Sequence, residues 1–146
     1  MIRDLTMNLY TIIRCTHNYY ARELRKLNIT MGQFPFIMGV VENEGISQEK
    51  LSQTIMISKS TTAAIIRQLL DAGLITRAVD PNDRRNFRLF ATEKALDLVP
   101  KIQDVINKCH SEILKDLSPI EAAVFLELVS KVRNRTESIM GRKPSA

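Results

Sequence analysis

LITRAVDPNDRRNFRLFAT, residues Leu74–Thr92, is the stretch whose reading decides the fold. Strand-like alternation runs through Leu74–Val79 and again through Asn86–Ala91, and the cluster Asp80-Pro81-Asn82-Asp83 separates the two runs. Proline presets the φ angle of a turn, and Asn and Asp side chains bond back to nearby backbone, so a β-hairpin with a long tip is predicted. Arg84, Arg85 and Arg88 crowd that tip and the strand after it. A solvated surface hairpin reads the same way, so the decision rests on what precedes it.

Immediately upstream, Ser58 is suited to cap a helix that runs to Ala72 and stops at Gly73. Thr62, Ile65, Ile66, Leu69 and Leu70 form its apolar stripe, which leaves Ser60, Ala64, Arg67 and Asp71 on the opposite face and Ser58, Lys59 and Thr61 around its N-terminus. Before it, Ser47 caps a short helix through Thr54 with Leu51 and Ile55 facing inward, and Met56-Ile57-Ser58 makes the turn between them. Two helices joined by such a turn form a helix-turn-helix, and a hairpin directly after makes it a winged one. Small hydroxyl side chains can reach base edges or phosphates without holding the backbone away, Ala64 can touch thymine methyls, and a helix N-terminus attracts phosphate. For the helix alone, a solvated face with an Arg67–Asp71 ion pair is the competing reading. Joined to a hairpin carrying a double arginine, the face points to nucleic acid.

Further out, Leu5, Leu9, Ile12, Ile13, Thr16, Tyr20, Leu24 and Leu27 recur at helical spacing from Asp4 to Leu27, a first helix roughly 35 Å long. Thr30 and Gln33 form a capping box for a second helix, with Pro35 giving it an irregular start and Glu44-Gly45 its end. On the other side, Thr92 caps a fifth helix whose apolar rhythm carries through Pro100 to Leu117, so a kink is expected at the proline. Ser118-Pro119-Ile120-Glu121 starts a sixth, displaying Ala122, Val124, Phe125, Leu128, Val129, Val132 and Ile139. The last two helices carry more apolar surface than a compact reading head can cover, which implies a dimer. Only the tail after Met140 reads as loose.

Composition fits this picture. The 146 residues are 45% hydrophobic but only 5% aromatic, which suits one helical domain better than a β-sandwich. Lys and Arg number 21 against 16 acidic residues, a net charge of +5 and a pI near 9.4, compatible with a polyanionic partner. Cys15 and Cys109 are too few for a disulfide framework, the start MIRDLTMNLYTIIRC lacks a signal-peptide layout, and the apolar run Phe34–Val41 is too short to cross a bilayer. A cytoplasmic protein with no membrane partner is expected. No phosphate-binding glycine loop, paired catalytic carboxylates or activated nucleophile is present, so neither an enzyme nor a cofactor is expected. Cys109 and His110, adjacent on a helix, point about 100° apart, and Cys15 and His17, two positions apart, about 200°, so neither pair makes a metal site.

The order of elements, together with DPNDRRNFRLFATEKA, resembles the MarR family of transcriptional regulators over essentially the whole chain. Asp83, Arg85 and Thr92 match the family's aspartate, one residue, arginine and later leucine-threonine, with Ala91 where the leucine is usual, and Asp71-Ala72-Gly73-Leu74-Ile75 looks like its junction between recognition helix and wing. The implied fold is mainly α with a small β-hairpin wing. A winged helix-turn-helix DNA-binding module spans 29–95, and 1–28 with 96–146 form a helical dimerisation region, intertwined as one domain. The resemblance implies a homodimeric repressor on a pseudo-palindromic site in double-stranded DNA. Carried over by position, Ser58, Ser60, Thr61 and Thr62 are recognition-helix contacts, Ser47 and Gln48 touch phosphates, and Arg85 enters a minor groove. Lys59, Arg67 and Arg84 complete the DNA-binding set, and Asp83 steers Arg84 or Arg85.

The resemblance also implies release by a small aromatic acid, salicylate-like, held by the charge of Arg14 between the apolar walls of Met31 and Ile106, with Arg85 near the rim. Family members often have tyrosine where Met31 stands. Cys15 lies more than two turns later on the first helix than the reactive cysteine of the family's peroxide sensors, which argues against redox sensing. The rival reading is a winged helix that binds protein instead of DNA.

Overall fold

The computed structural model describes residues 2–141, with side chains from residue 4 onward. The tail expected to be loose lies, beyond Gly141, outside the described residues. In chain order the described elements are α1 (Ile2–Arg25), α2 (Phe34–Glu42), β1 (Ile46–Ser47), α3 (Gln48–Ile55), α4 (Lys59–Asp71), β2 (Ile75–Val79), β3 (Phe87–Ala91), α5 (Glu93–Leu96), α6 (Val99–Ile113) and α7 (Pro119–Ile139). Mainly α with a small antiparallel wing, this is the fold class that the resemblance implied. The chain divides into two units, Met1–Cys109 and His110–Ala146.

Local chemistry sets most helix starts. Ser47 Oγ accepts the Lys50 N–H at 3.2 Å, Ser58 Oγ the Thr61 N–H at 3.2 Å, and Thr92 Oγ1 the Ala95 N–H at 3.3 Å. Such a cap contributes about 1 kcal/mol by satisfying a backbone donor that the helix itself cannot. Ser118 and Glu121 close a reciprocal capping box at the start of α7. Thr30 and Gln33 also bond reciprocally, at 3.0 and 3.2 Å, but they frame a turn, and α2 begins only at Phe34. Pro35 therefore falls in the first turn, where its missing N–H costs nothing.

The expected hairpin forms between β2 and β3, and β1 extends it into a three-stranded sheet ordered β1-β3-β2, in which Ile46 pairs with Leu89 and Ser47 with Arg88. One expectation needs correction. The long fifth helix is not kinked but broken. Thr92 caps the four-residue α5, Asp97 and Leu98 turn, and α6 restarts with Pro100 in its first turn, ending at Ile113 short of Leu117. A restart places the proline where it is tolerated, and the apolar rhythm survives because both pieces face the same core.

That core is centred on α2. Phe36, Ile37 and Val40 are fully buried among Leu51 of α3, Ile66 and Leu69 of α4, Leu89 of β3 and Ala95 of α5. Burying side chains of this size stabilises by about 1.5–3 kcal/mol each. A Cβ on Gly39 would lie 2.6 Å from Leu51 Cδ1, so glycine is what lets α2 and α3 approach. From the other side, Leu24 of α1 and Ile102 of α6 join the same cluster. Tyr20 lies beside buried Cys109, and its phenol is pushed up to about 12, first by burial and then by its bond to the thiol. Toward its N-terminus α1 is unburied, with Leu5, Leu9, Ile12 and Ile13 all exposed. In the second unit, α7 buries none of its residues.

Candidate nucleic-acid interface

Three structural features meet at one surface of the first unit. At the start of α4, Ser58 Oγ donates to Thr61 Oγ1 at 2.8 Å and lies 3.2 Å from Ser60 Oγ, so three exposed hydroxyls are held together around the helix N-terminus. Backbone N–H groups left free there, with the positive end of the helix dipole, favour an anion. Across the turn, Ser47 and Gln48 open α3, both half-buried, with the Ser47 hydroxyl committed to its cap. Lys59 Nζ bonds Glu49 Oε1 at 2.7 Å and so bridges the first turns of the two helices. That bond with Lys59 holds the Glu49 carboxyl below its ordinary range.

The wing contributes the third feature. Asp83 Oδ1 accepts the Arg85 N–H at 3.0 Å, Asp83 Oδ2 accepts from Asn86 Nδ2 at 3.0 Å, and the Asn86 N–H bonds the Asp83 carbonyl at 2.9 Å. These bonds lock the tip backbone, so Asp83 orients Arg85 through its main chain and not by gripping a guanidinium. Arg88 is spent on Asp80, with Nε–Oδ2 at 2.9 Å, and closes the hairpin below the tip. Arg84 and Arg85 are exposed and enter no salt bridge among the described residues. On β2, the Arg77 guanidinium stacks 4.6 Å from the Phe87 ring centroid.

A cleft of about 310 Å³ joins the parts: Gln48, Glu49 and Ser52 of α3, Lys59 of α4, and Arg85, Asn86 and Phe87 of the wing line it. Gln48, Lys59 and Arg85 are thus brought together, with Ser58, Ser60 and Thr61 exposed at the head of α4. Arg67 lies exposed further along α4, without the salt bridge to Asp71 that its spacing allowed.

Thr62 must be removed from the set. It is 0% exposed, one turn before Ile66 on the stripe that packs into the core, and its Oγ1 has no hydrogen-bond partner among the described residues. The steering role given to Asp83 also changes, from side chain to backbone. Sequence reasoning missed Glu49, Arg77 and the Asp80–Arg88 pair. Only the last carried a signal, since opposite charges flanking a predicted turn are placed to meet across it.

Of the four residues carried over for a ligand, Arg85 borders the cleft beside the wing and Arg14, Met31 and Ile106 do not. Arg14 is exposed on α1, Met31 and Ile106 are half-buried against the core, and Arg85 is at the wing. A cleft of about 570 Å³ lies instead among Leu27, Ile29, Leu74, Lys94, Leu98 and Lys101. Among the described residues no group of three or more His, Cys, Asp and Glu could hold a metal ion, and no helix is long and apolar enough to cross a membrane.

Residues 29–87 match the sequence model of the MarR family. An uncharacterised HTH-type transcriptional regulator of Bacillus subtilis strain 168, YybA, is 26% identical over 136 residues, covering 93% of this chain and 91% of its own. A MarR transcriptional regulator from Methanosarcina mazei Go1 is similar in structure with a TM-score of 0.85 at 27% identity, over 94% of this chain and 99% of that one. A protein of Listeria monocytogenes described as a MarR family transcriptional regulator, solved in complex with a 26mer DNA, gives a TM-score of 0.78 at 28% identity, over 100% of this chain and 98% of that one.

Proposed function

We propose that this chain, which belongs to the MarR family of winged helix-turn-helix transcriptional regulators, binds a pseudo-palindromic site in double-stranded DNA as a homodimer, represses transcription from it, and is released by a small aromatic acid. One observation carries the DNA reading: Gln48 of α3, Lys59 at the start of α4 and Arg85 of the wing, which enters no salt bridge among the described residues, border one cleft, and the exposed hydroxyls of Ser58, Ser60 and Thr61 flank Lys59 at the head of α4. In this reading α4 enters a major groove with Ser58, Ser60 and Thr61 at base edges or phosphates and Arg67 on the backbone. Ser47 and Gln48 hold phosphates, and Arg84 and Arg85 at the wing reach the adjacent minor groove, where arginine reads width more than sequence. The Listeria relative's complex with DNA supports the reading.

Residues 29–95 are the reader, and 1–28 with 96–146 the dimerisation region, an assignment that the exposed apolar faces of α1 and α7 support. An aromatic acid is proposed to lie against Met31 and Ile106 with its carboxylate on Arg14, in a crevice that a second copy completes. The protein is proposed to work in the cytoplasm. Binding to the duplex upstream of its own gene, measured at two salt concentrations with and without salicylate, tests all of this. A dimer that binds, loses affinity steeply with salt because counterions are released, and loosens with salicylate is expected. No binding to any duplex at low salt sinks the reading in favour of a protein-binding winged helix.

A further inference from the structure

The cleft between the helix-turn-helix and the wing contains one carboxylate, Glu49, among the residues that line it. Its place is unexpected. Lys59 and Arg85, the cations best placed for phosphate, border the same cleft, and a negative charge there opposes a polyanion. Glu49 is nevertheless bonded to Lys59 at 2.7 Å, across the turn that joins α3 to α4. Both side chains are largely exposed, 57% for Glu49 and 77% for Lys59, so neither is a core residue needing a partner to be buried. An exposed pair of this kind adds little to stability and exchanges readily for another anion.

We propose that Glu49 is an internal stand-in for phosphate, which holds Lys59 in the free protein and gives it up when DNA arrives. The proposal rests on the DNA reading above. Bridging the first turns of α3 and α4, the pair sets the lysine head beside the cleft, where DNA phosphate would compete for it. The exchange trades one anion for another on the same lysine, so the net charge that the pair offers to DNA is close to zero. Glu49 thereby weakens the sequence-independent part of binding, which is electrostatic, and leaves the hydroxyl contacts of α4 to decide which site is held.

The test compares wild type, E49Q, K59A and the double variant on the upstream duplex and on an unrelated duplex over a salt series, with thermal melts to verify folding. E49Q keeps an acceptor for Lys59 but removes the charge. Expected is binding roughly five-fold tighter on both duplexes, with the slope of log K against log salt steeper by about one unit. In the K59A background the same change should have much less effect, which a purely structural role for Glu49 does not predict. Wild-type binding with E49Q equal or weaker overturns the proposal alone, as does an equal gain with and without Lys59, which would mean direct repulsion of DNA. No binding by any of the four proteins overturns the DNA reading along with it.

Discussion

Thr62 and Arg85 show how a single position divides between fold and function. Thr62 stands on α4 with hydroxyl-bearing neighbours that face solvent, yet it is wholly buried and its hydroxyl has no partner among the described residues. A buried hydroxyl without a partner costs about 1–3 kcal/mol. Thr62→Val, which keeps the branched shape, is therefore expected to raise the melting temperature and leave DNA affinity unchanged. A clear loss of affinity in a folded Thr62→Val protein would return the residue to the interface. Arg85 is the opposite case, exposed and held only through its main chain by Asp83. Arg85→Ala should melt within about 0.5 kcal/mol of wild type, as surface changes do, while binding DNA less tightly and with a shallower salt slope. A large drop in stability would make Arg85 a structural residue.

At the scale of the element, the wing is held from within. Asp80 and Arg88 face each other across the hairpin, and the bond from Arg88, aided by the Asn82 N–H, keeps the Asp80 carboxyl below its ordinary range. A depressed carboxyl pKa in the folded state means stabilisation that is present above the unfolded value and is lost as pH falls through the carboxylate range and below. Acidification should therefore loosen the hairpin of the wild type, read as lower protection factors for the Asp80 and Asn86 amides relative to their intrinsic exchange rates at each pH. Asp80→Asn should begin looser and show less of that dependence, and an unchanged acid response would assign it to another carboxyl.

The caps and the wing were legible in the sequence because each depends on residues within a few positions of one another, as with Ser47 and Lys50 or Asp80 and Asn82. Strand β1 was not. Two residues have no periodicity, and Ile46 finds its partner Leu89 only when the chain returns. The break at Asp97-Leu98 was hidden for the opposite reason, since α5 and α6 present apolar residues to one core and their combined pattern imitates a single helix. Which recognition-helix hydroxyls face out was legible from the 3.6-residue period, and that same period places Thr62 with Ile66 on the buried stripe. A position carried over from a family does not override it.

For the whole molecule, exposed apolar surface outweighs any pocket. Leu5, Ile12 and Ile13 on α1 and, in the other unit, Val124, Leu128 and Val132 on α7 are all exposed in the single chain, a pattern that signals a partner surface. Leu128→Glu should keep its helical content, sediment as a smaller species and lose on the order of 100-fold in affinity for a two-half-site duplex, because a linked pair of readers gains that much from simultaneous contact. A dimer that persists in this variant would move the interface away from α7. Arg14, Met31 and Ile106 stand far apart in the chain with no local spacing that marks a pocket, which is why they were readable only by resemblance.

The base of the wing constrains how such an assembly could be controlled. Thr92 Oγ1 caps α5 and bonds the carbonyls of Gly73 and Leu74 at 2.8 and 3.0 Å, while Lys94 Nζ reaches the Ala72 carbonyl at 2.7 Å. The end of α4, the root of β2 and the start of α5 are riveted at one joint. A wing so fastened is tied to the helix before it and the helix after it, and in the proposed dimer each copy would close on DNA as one jaw. In a two-jawed tool of that kind the adjustable quantity is the gap between the jaws, so an effector would act as calipers do, by setting a span against the fixed repeat of the double helix.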